Sequence, residues 1–302
     1  MSAAAVEVYR RHLTGLAYRM LGSVSEAQDI VQEAFLRWHE ADRAGVDNPR
    51  AFLSTTVTRL CLDHLNSARA RRETYVGPWL PEPVLDTAEL TPEGAAELAQ
   101  DLSVAFLLAL ERLSPLERAA FLLHDVFDAD FADVARMIGR SQEACRQLAA
   151  RARRNVRRER RRFPMPPEDV ERLFASFVAA VGGGDLAALA GLLTRDAVLH
   201  SDGGGKARAA LNLILGADKV ARFILGVARK RGGFDLAGAQ PVRINGLPGV
   251  VLSWPDGAVR TAAFELADGH DPGEARIAAI YLVANPDKLR HLAGGQGAAR
   301  LS

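Results

Sequence analysis

Asp202-Gly203-Gly204-Gly205-Lys206 sets three glycines between an acid and a base. Such a loop can cradle a phosphate, shape a pocket or only turn a corner. The phosphate reading fails on spacing: a P-loop needs glycine five places before Gly205, where His200 stands, and Ser or Thr after the lysine, where Ala207 stands. His200 and Asp202, two apart on a presumptive strand, project to one face and could serve as an acid–base pair. The alternative is a hydrogen-bonded strand histidine followed by an aspartate that opens the turn. Cys61 and Cys145 lack metal-ligand or redox spacing and lie within helical patterns, so buried reduced thiols are expected. Neither a metal nor a cofactor is implied by any motif.

The other chemically dense stretch is Arg146 to Arg162, RQLAARARRNVRRERRR, with Glu159 as its single acid inside a chain of net charge +1. A basic face of this density meets a polyanion; its plainer reading is a solvated helix end. Lysine occurs only as Lys206, Lys219, Lys230 and Lys288, two of them in the short motifs DGGGK and NPDKL.

The elements that must position these groups are legible from periodicity and caps. At 302 residues the chain has room for two or three domains. From Ala4 to about Arg72 apolar residues recur at helical spacing, giving three or four helices, with Ser23 or Ser25 capping the second and Asn48-Pro49 opening the third. The stretch from Tyr75 to Gly94, with Pro78, Pro81, Pro83 and Pro92, predicts an extended linker. Ser114-Pro115-Leu116-Glu117 is a capping-box start. Phe131–Ile138, Gly139 and Ser141 then predict helix, turn, helix. The second of these helices buries Ala144, Cys145, Leu148 and Ala152. It turns Gln142, Glu143, Arg146, Gln147 and Arg151 outward, side chains suited to base edges and phosphates.

After Pro167 an amphipathic helix is followed, beyond Gln240, by β-rich runs separated by Asn245-Gly246, Pro255-Asp256-Gly257 and Ala267-Asp268-Gly269-His270. Helices followed by an antiparallel sheet predict an α+β domain. Arg222, Phe223, Trp254, Phe264 and Tyr281 could line a small-molecule pocket, although aromatics at these spacings also suit a core. The longest apolar run, Val104 to Leu110, is too short to span a bilayer and the N-terminus has no signal-peptide core, so a cytoplasmic protein with no membrane partner is expected.

The stretches SVSEAQDIVQEAFLRWHEA and NPRAFLSTTVTRLCLDHLNSARARR resemble region 2 of bacterial RNA polymerase sigma factors, and the second helical block resembles their region 4. Their order and spacing resemble the compact extracytoplasmic-function (ECF) class. The resemblance implies a non-enzymatic factor whose partners are core RNA polymerase and promoter DNA, the latter through the −10 and −35 elements. It implies polymerase contacts at Asp29, Gln32, Glu33, Phe35 and Trp38, although Phe35 and Trp38 lie on the apolar stripe and Gln28 stands where the family often has an acid. The loop from His39 to Asp47 and the helix after it, with Asn48, Arg59, His64, Asn66, Arg69, Arg71 and Arg72, would receive the melted −10 strand. Gln142, Glu143, Arg146, Gln147, Arg151, Arg153 and Arg154 would meet the −35 duplex.

The third segment resembles the SnoaL-like (NTF2-like) cone fold. With WLPEP (Trp79, Leu80, Pro81, Glu82, Pro83), DGGGK (Asp202, Gly203, Gly204, Gly205, Lys206) and NPDKL (Asn285, Pro286, Asp287, Lys288, Leu289), the chain resembles ECF factors carrying a fused C-terminal SnoaL-like domain. The expected division is two all-α sigma domains, 1–72 and 99–162, joined by a linker over 73–98, then an α+β regulatory domain over 163–292 and a flexible tail over 293–302. DGGGK and NPDKL are expected to lie together against the WLPEP linker or the region-2 domain. Lys206 and Lys288 would then pair with acids such as Glu82 or those of the polymerase-binding helix. The resemblance implies control of the sigma factor by this domain. The rival readings are a duplex-binding helix-turn-helix regulator and a bifunctional protein whose SnoaL-like domain binds or converts a small-molecule ligand.

Overall fold

The computed structural model describes residues 7–41, 46, 48–72, 75–86, 103–156, 167–230, 239–253, 257–267 and 275–293. They fall into two compact units: an all-helical one built from segments before residue 75 and between 101 and 160, and a second formed by the linker from Tyr75 together with the segments after 160. The expected tail over 293–302, apart from Ala293, lies outside the described residues, as do most of the loop from His39 to Asp47 and Trp254.

In the helical unit, α1 (Arg10–Leu21), α2 (Val24–Glu40) and α3 (Pro49–Arg72) form one bundle. The boundaries follow the predicted caps. Gly22 takes the left-handed conformation that ends α1, the Ser23 hydroxyl accepts from the Glu26 amide, and Asn48 Oδ1 accepts from the Ala51 amide at 3.0 Å. The bundle core holds Leu13, Leu16, Met20, Val31, Leu53, Val57 and Cys61. The second half runs through α4 (Val104–Glu111), α5 (Pro115–Phe121), a π-helical turn over Leu122–Val126, α6 (Phe131–Ile138) and α7 (Gln142–Val156). Ser114 and Glu117 form the full capping box.

Arg118 joins the two halves of this unit. Its guanidinium is buried, donates to the Met20 carbonyl at the end of α1 and pairs with Glu111 at 3.0 Å; burial lowers its pKa to about 10.

In the second unit, α8 (Pro167–Gly183) and α9 (Leu186–Gly191) precede β1 (Leu193–Asp202), β2 (Ile214–Leu215) and α10 (Ala217–Lys230). Strands β3 (Ala239–Ile244), β4 (Leu247–Ser253), β5 (Val259–Ala267) and β6 (Arg276–Val283) follow, then a 3-10 turn over Pro286–Leu289 and α11 (Arg290–Ala293). The sheet order is β2-β1-β6-β5-β4-β3. The predicted antiparallel sheet is corrected at one seam: β1 and β6 run parallel, with Asp202 opposite Val283. Such a pairing joins segments far apart in sequence through a long crossover and leaves no hairpin signature. Asn245 and Gly246, with φ of 50° and 73°, make the predicted tight turn between β3 and β4.

Candidate functional site

The linker from Tyr75 to Asp86 is ordered against the sheet unit. Leu80 and the residues from Pro81 to Val84 are buried. At its far end the Val84 amide donates to Asn245 Oδ1 at 3.1 Å, the Asn245 amide donates to the Val84 carbonyl at 2.8 Å, and the Asp86 amide donates to the Arg243 carbonyl at 3.0 Å. Leu85 adds one antiparallel bridge to Ile244, so the linker pairs with the open edge of β3. The Asp86 carboxyl accepts from the Gly246 amide; burial raises its pKa, and Gly246 and Arg243 work against that shift.

The near end is held by Asp202, the last residue of β1 and fully buried. Its carboxylate accepts from the Tyr75 hydroxyl at 2.6 Å, from the Leu80 amide at 2.9 Å and from the Lys288 ammonium at 2.6 Å. Lys288 also donates to the Leu80 carbonyl, and its ammonium stands 4.5 Å from the Trp79 ring centroid and 5.1 Å from that of Tyr75. The result is a buried ion pair with its remaining valences taken by backbone and aromatic faces, the condition under which such a pair survives desolvation. Burial, with the adjoining Asp202 charge, drives the Tyr75 phenol well above its ordinary pKa, so it stays a donor.

The glycines serve close approach rather than phosphate binding. A Cβ on Gly204 would lie 2.2 Å from Asn285 Nδ2 and 3.1 Å from the Tyr75 oxygen, at a backbone φ of 56°. Asn285 Nδ2 donates to that oxygen at 3.0 Å, while its Oδ1 caps the turn at the Asp287 amide. The three motifs thus converge in one unit: WLPEP lies against the end of DGGGK and against NPDKL. The expected partners of the lysines are corrected. Lys206 pairs with Asp287 on the surface, Lys288 pairs with Asp202, and Glu82 lies 3.3 Å from His291 Nδ1. The acid that takes Lys288 is the one at the end of β1, which also accepts from the amide of Leu80, the residue whose carbonyl Lys288 bonds.

His200 and Asp202 do share a face, but it is the linker face. The apolar cavity of this unit is lined from the opposite side of β1, by Leu199. His200 packs against Tyr281 with ring centroids 5.1 Å apart. Of the proposed pocket aromatics, Phe223 and Phe264 line the cavity, Tyr281 sits on the other face with its hydroxyl on Glu265, and Arg222 is exposed and paired with Asp218.

In the helical unit, Asp29 and Gln32 are exposed on α2 and Glu33 is half-buried and paired with Arg37 at 2.9 Å. Phe35 and Trp38, expected among surface contacts, are core residues at 5% and 2% exposure, with Trp38 edge-on to Phe52 and Arg10 over Phe35. On α3, His64 Nε2 lies 3.2 Å from Glu26 and Asn66 is exposed; Arg69, Arg71 and Arg72 fall in the last turns of the helix, with side chains outside the described part. Arg59 is placed differently from the open basic track expected. Its guanidinium donates to the Met137 and Arg136 carbonyls at 3.2 and 3.1 Å, capping the C-terminus of α6. Reaching a nucleic-acid strand therefore requires exchanging those two bonds.

Helices α6 and α7 meet through Gly139, left-handed at φ 65°, and through Ser141, whose hydroxyl caps the Ala144 amide at 3.2 Å. Cys145, Leu148 and Ala152 are buried, while Gln142, Glu143, Arg146, Gln147 and Arg151 form one exposed face. Arg151 and Arg153 hold Glu117 and Asp125 at 2.7 and 2.6 Å. Such solvent-exposed pairs are worth about 0–1 kcal/mol and can be exchanged for phosphates.

This helix-turn-helix has counterparts in known proteins. Residues 5–71 match the family model of sigma-70 region 2 and residues 103–156 that of sigma-70 region 4. Over 303 residues the chain is 41% identical to the ECF RNA polymerase sigma factor SigJ of Mycobacterium tuberculosis, covering 96% of this chain and 93% of that protein.

The chain belongs to the ECF sigma factors.

A probable ECF sigma factor of the same organism, SigI, is 35% identical over 225 residues, 74% of this chain and 76% of that one. The crystal structure of Mycobacterium tuberculosis SigJ superposes with a TM-score of 0.75 at 39% identity, covering 96% of this chain and 98% of that one. Region 2 is thus α1 to α3, and region 4 runs from α4 to α7. As a sigma factor the protein binds core RNA polymerase and promoter DNA and directs transcription initiation. The third domain is the α+β, SnoaL-like part of this architecture. Among the described residues no helix is long and apolar enough to cross a membrane. Sequence reasoning missed Tyr75 and His291, which hold the linker from outside the motifs. Tyr75 was visible only as an aromatic at the start of the proline-rich stretch.

Proposed function

We propose that this ECF sigma factor is controlled in cis by its SnoaL-like domain, which grips the inter-region linker, and that promoter use depends on whether that grip is closed. The observation that carries the reading is Asp202, buried and bonded at once to Tyr75, to the Leu80 amide and to Lys288. A linker held along its length is shorter and stiffer than a free one. Promoter recognition requires regions 2 and 4 to reach elements separated along DNA, so the linker is an effective place to act.

In the same reading Asp29, Gln32 and Glu33 on α2 meet core polymerase, with Phe35 and Trp38 holding that helix from within. Asn48, His64, Asn66 and Arg59 on α3, with Arg69, Arg71 and Arg72 at its end, follow the melted −10 strand. Gln142, Glu143, Arg146 and Gln147 read the −35 duplex, and Arg151, Arg153 and Arg154 hold its phosphates. The exposure of the polar face of α7 supports this. The protein works in the cytoplasm, where its template is, and performs no covalent chemistry of its own.

Promoter-specific transcription by core polymerase, reconstituted with the wild-type chain, Asp202→Asn and Lys206→Ala, tests the proposal. Output that differs between the wild type and these variants at equal polymerase affinity is expected. Identical output from all three would overturn cis control through this contact.

A further inference from the structure

Two arginines of α7 are held on their inner side by acids. Arg151 donates through Nε to Glu117 Oε1 at 2.7 Å, and Arg153 donates through Nε to Asp125 Oδ1 at 2.6 Å. In each pair the acid is the more buried partner: the Glu117 side chain is 17% exposed against 47% for Arg151, and that of Asp125 22% against 31% for Arg153. The carboxylates therefore belong to the body of the domain and the guanidiniums to its outside. Each bond uses Nε alone, so among the described residues the terminal nitrogens of both arginines are left to donate elsewhere.

Neither acid is free to swing away. Glu117 belongs to the capping box of α5, where its Oε2 accepts from the Ser114 amide at 3.1 Å and from the Ser114 hydroxyl at 2.8 Å. Burial works against its ionisation, but the bonds from Arg151 and Ser114 outweigh that and lower its pKa. Asp125 sits in the π-helical turn, where the Phe127 amide bonds the Leu122 carbonyl at 3.0 Å and one extra residue is taken into the helix. Such turns are rare and frequent at functional sites. The Asp125 carboxylate has Arg153 as its only hydrogen-bond partner among the described residues.

We propose that Glu117 and Asp125 are positioning residues for promoter binding: each fixes an arginine by its Nε and so presents the terminal nitrogens, already ordered, to a DNA phosphate. The inference rests on the reading of Arg151 and Arg153 as phosphate contacts. Exposed pairs of this kind are weak enough to exchange, but a phosphate that takes the terminal nitrogens need not displace the acid. An arginine loses rotamer freedom on binding, and one that is already held loses less. The competing effect is repulsion between carboxylate and phosphate, which is reduced here because the guanidinium stands outside the acid.

The test is a double-mutant cycle on the full-length chain, read by fluorescence anisotropy with a labelled duplex of mixed sequence, since phosphate contacts carry no sequence information. Arg153→Ala should weaken binding and flatten the dependence of log K on log salt by about 0.9, the loss of one phosphate. Asp125→Ala should weaken binding about three- to tenfold even though it makes the chain more positive. In the Arg153→Ala background the same change should cost nothing. Asp128→Asn removes an equal charge from the same loop, at a φ of 54° that asparagine tolerates, and should bind at least as tightly as the wild type. Asp125→Leu fills similar space without an acceptor and replaces the alanine variant if circular dichroism shows that one to be unfolded. Glu117→Gln and Arg151→Ala form a second cycle with the same expectation. Tighter or unchanged binding in either acid variant, or an equal loss in the matching arginine-to-alanine background, would overturn the positioning role while leaving the phosphate contact intact. Wild-type binding by Arg153→Ala would instead overturn the contact itself, and the inference with it.

Discussion

Replacing Asp202 with asparagine keeps the shape of the side chain and removes its charge, which makes it a clean probe of the linker clasp. Lys288, its side chain only 13% exposed, would then lose the carboxylate charge it is bonded to. Breaking one side of a buried pair costs about 3–5 kcal/mol, chiefly because the remaining charge is stranded. At 1.36 kcal/mol per factor of ten, the lower bound corresponds to roughly a hundredfold increase in opening of the near half of the linker. The far half keeps its backbone bonds between Val84 and Asn245 and between Asp86 and Arg243. Hydrogen exchange should therefore accelerate at Leu80 by about two orders of magnitude and change far less at Asp86 and Asn245. Adding Lys288→Met to Asp202→Asn removes the stranded charge and should restore most of the protection. Unchanged exchange at Leu80 in Asp202→Asn, or a double variant as labile as the single one, would refute the argument that charge burial holds the linker.

Other consequences follow from the same geometry. Gly204→Ala forces a side chain into a left-handed backbone and against Asn285, and the backbone part alone costs about 1–2 kcal/mol, so thermal melting should shift down by several degrees. Lys206→Ala breaks only the solvent-exposed pair with Asp287 and should change stability by less than about 1 kcal/mol, so any effect it has on transcription is not a folding effect. Burial, then the charges of Arg50 and Arg19, lower the His12 pKa to about 4 from an ordinary 6.5. The unfolded chain takes up that proton first. His12 therefore contributes stability above pH 6.5 that is lost as pH falls toward 4, and His12→Gln should flatten the melting temperature of the helical unit across that window. Arg146→Ala should weaken duplex binding and, if it contacts a base edge, relax preference at one −35 position by about 1–3 kcal/mol, read by competition between promoter variants at fixed salt.

The helical half was legible because its signals are local. Ser23, Asn48, Ser114 with Glu117, and Gly139 each mark a boundary within a few residues of the backbone groups they satisfy, and each is found doing so. The π-helical turn at Leu122–Val126 has no such mark, because it shifts the bonding by one residue without needing a special side chain. Phe35 and Trp38 show the limit of a resemblance: the family pattern names positions on a helix, but burial depends on which helix packs beside it, here α3 through Phe52. Arg59 shows the same limit in the other direction, since an exposed arginine on a predicted basic track is engaged by carbonyls 77 and 78 residues away.

The regulatory motifs were visible as oddities of composition, and their convergence followed from having three of them with no catalytic geometry. Their pairing did not follow. Lys206 and Lys288 carry the same charge in similar motifs, and nothing in either local sequence distinguishes a surface tether from a buried one. The distinction arises from the parallel seam between β1 and β6, which sets Asp202 beside Val283 and so brings the chain after β6 back over the same carboxylate. Once that carboxylate is buried and already accepts from Tyr75 and Leu80, Lys288, reaching it from beside two aromatic rings, neutralises it while the ring faces offset part of its own desolvation. Lys206, on the loop that leaves β1, is directed outward and takes Asp287. The alternation along β1 then separates its two faces: Asp202 lies on the linker side, while Leu199 lines the apolar cavity on the other. A single strand therefore carries the linker clasp on one side and part of the apolar cavity wall on the other, with no intervening layer between them.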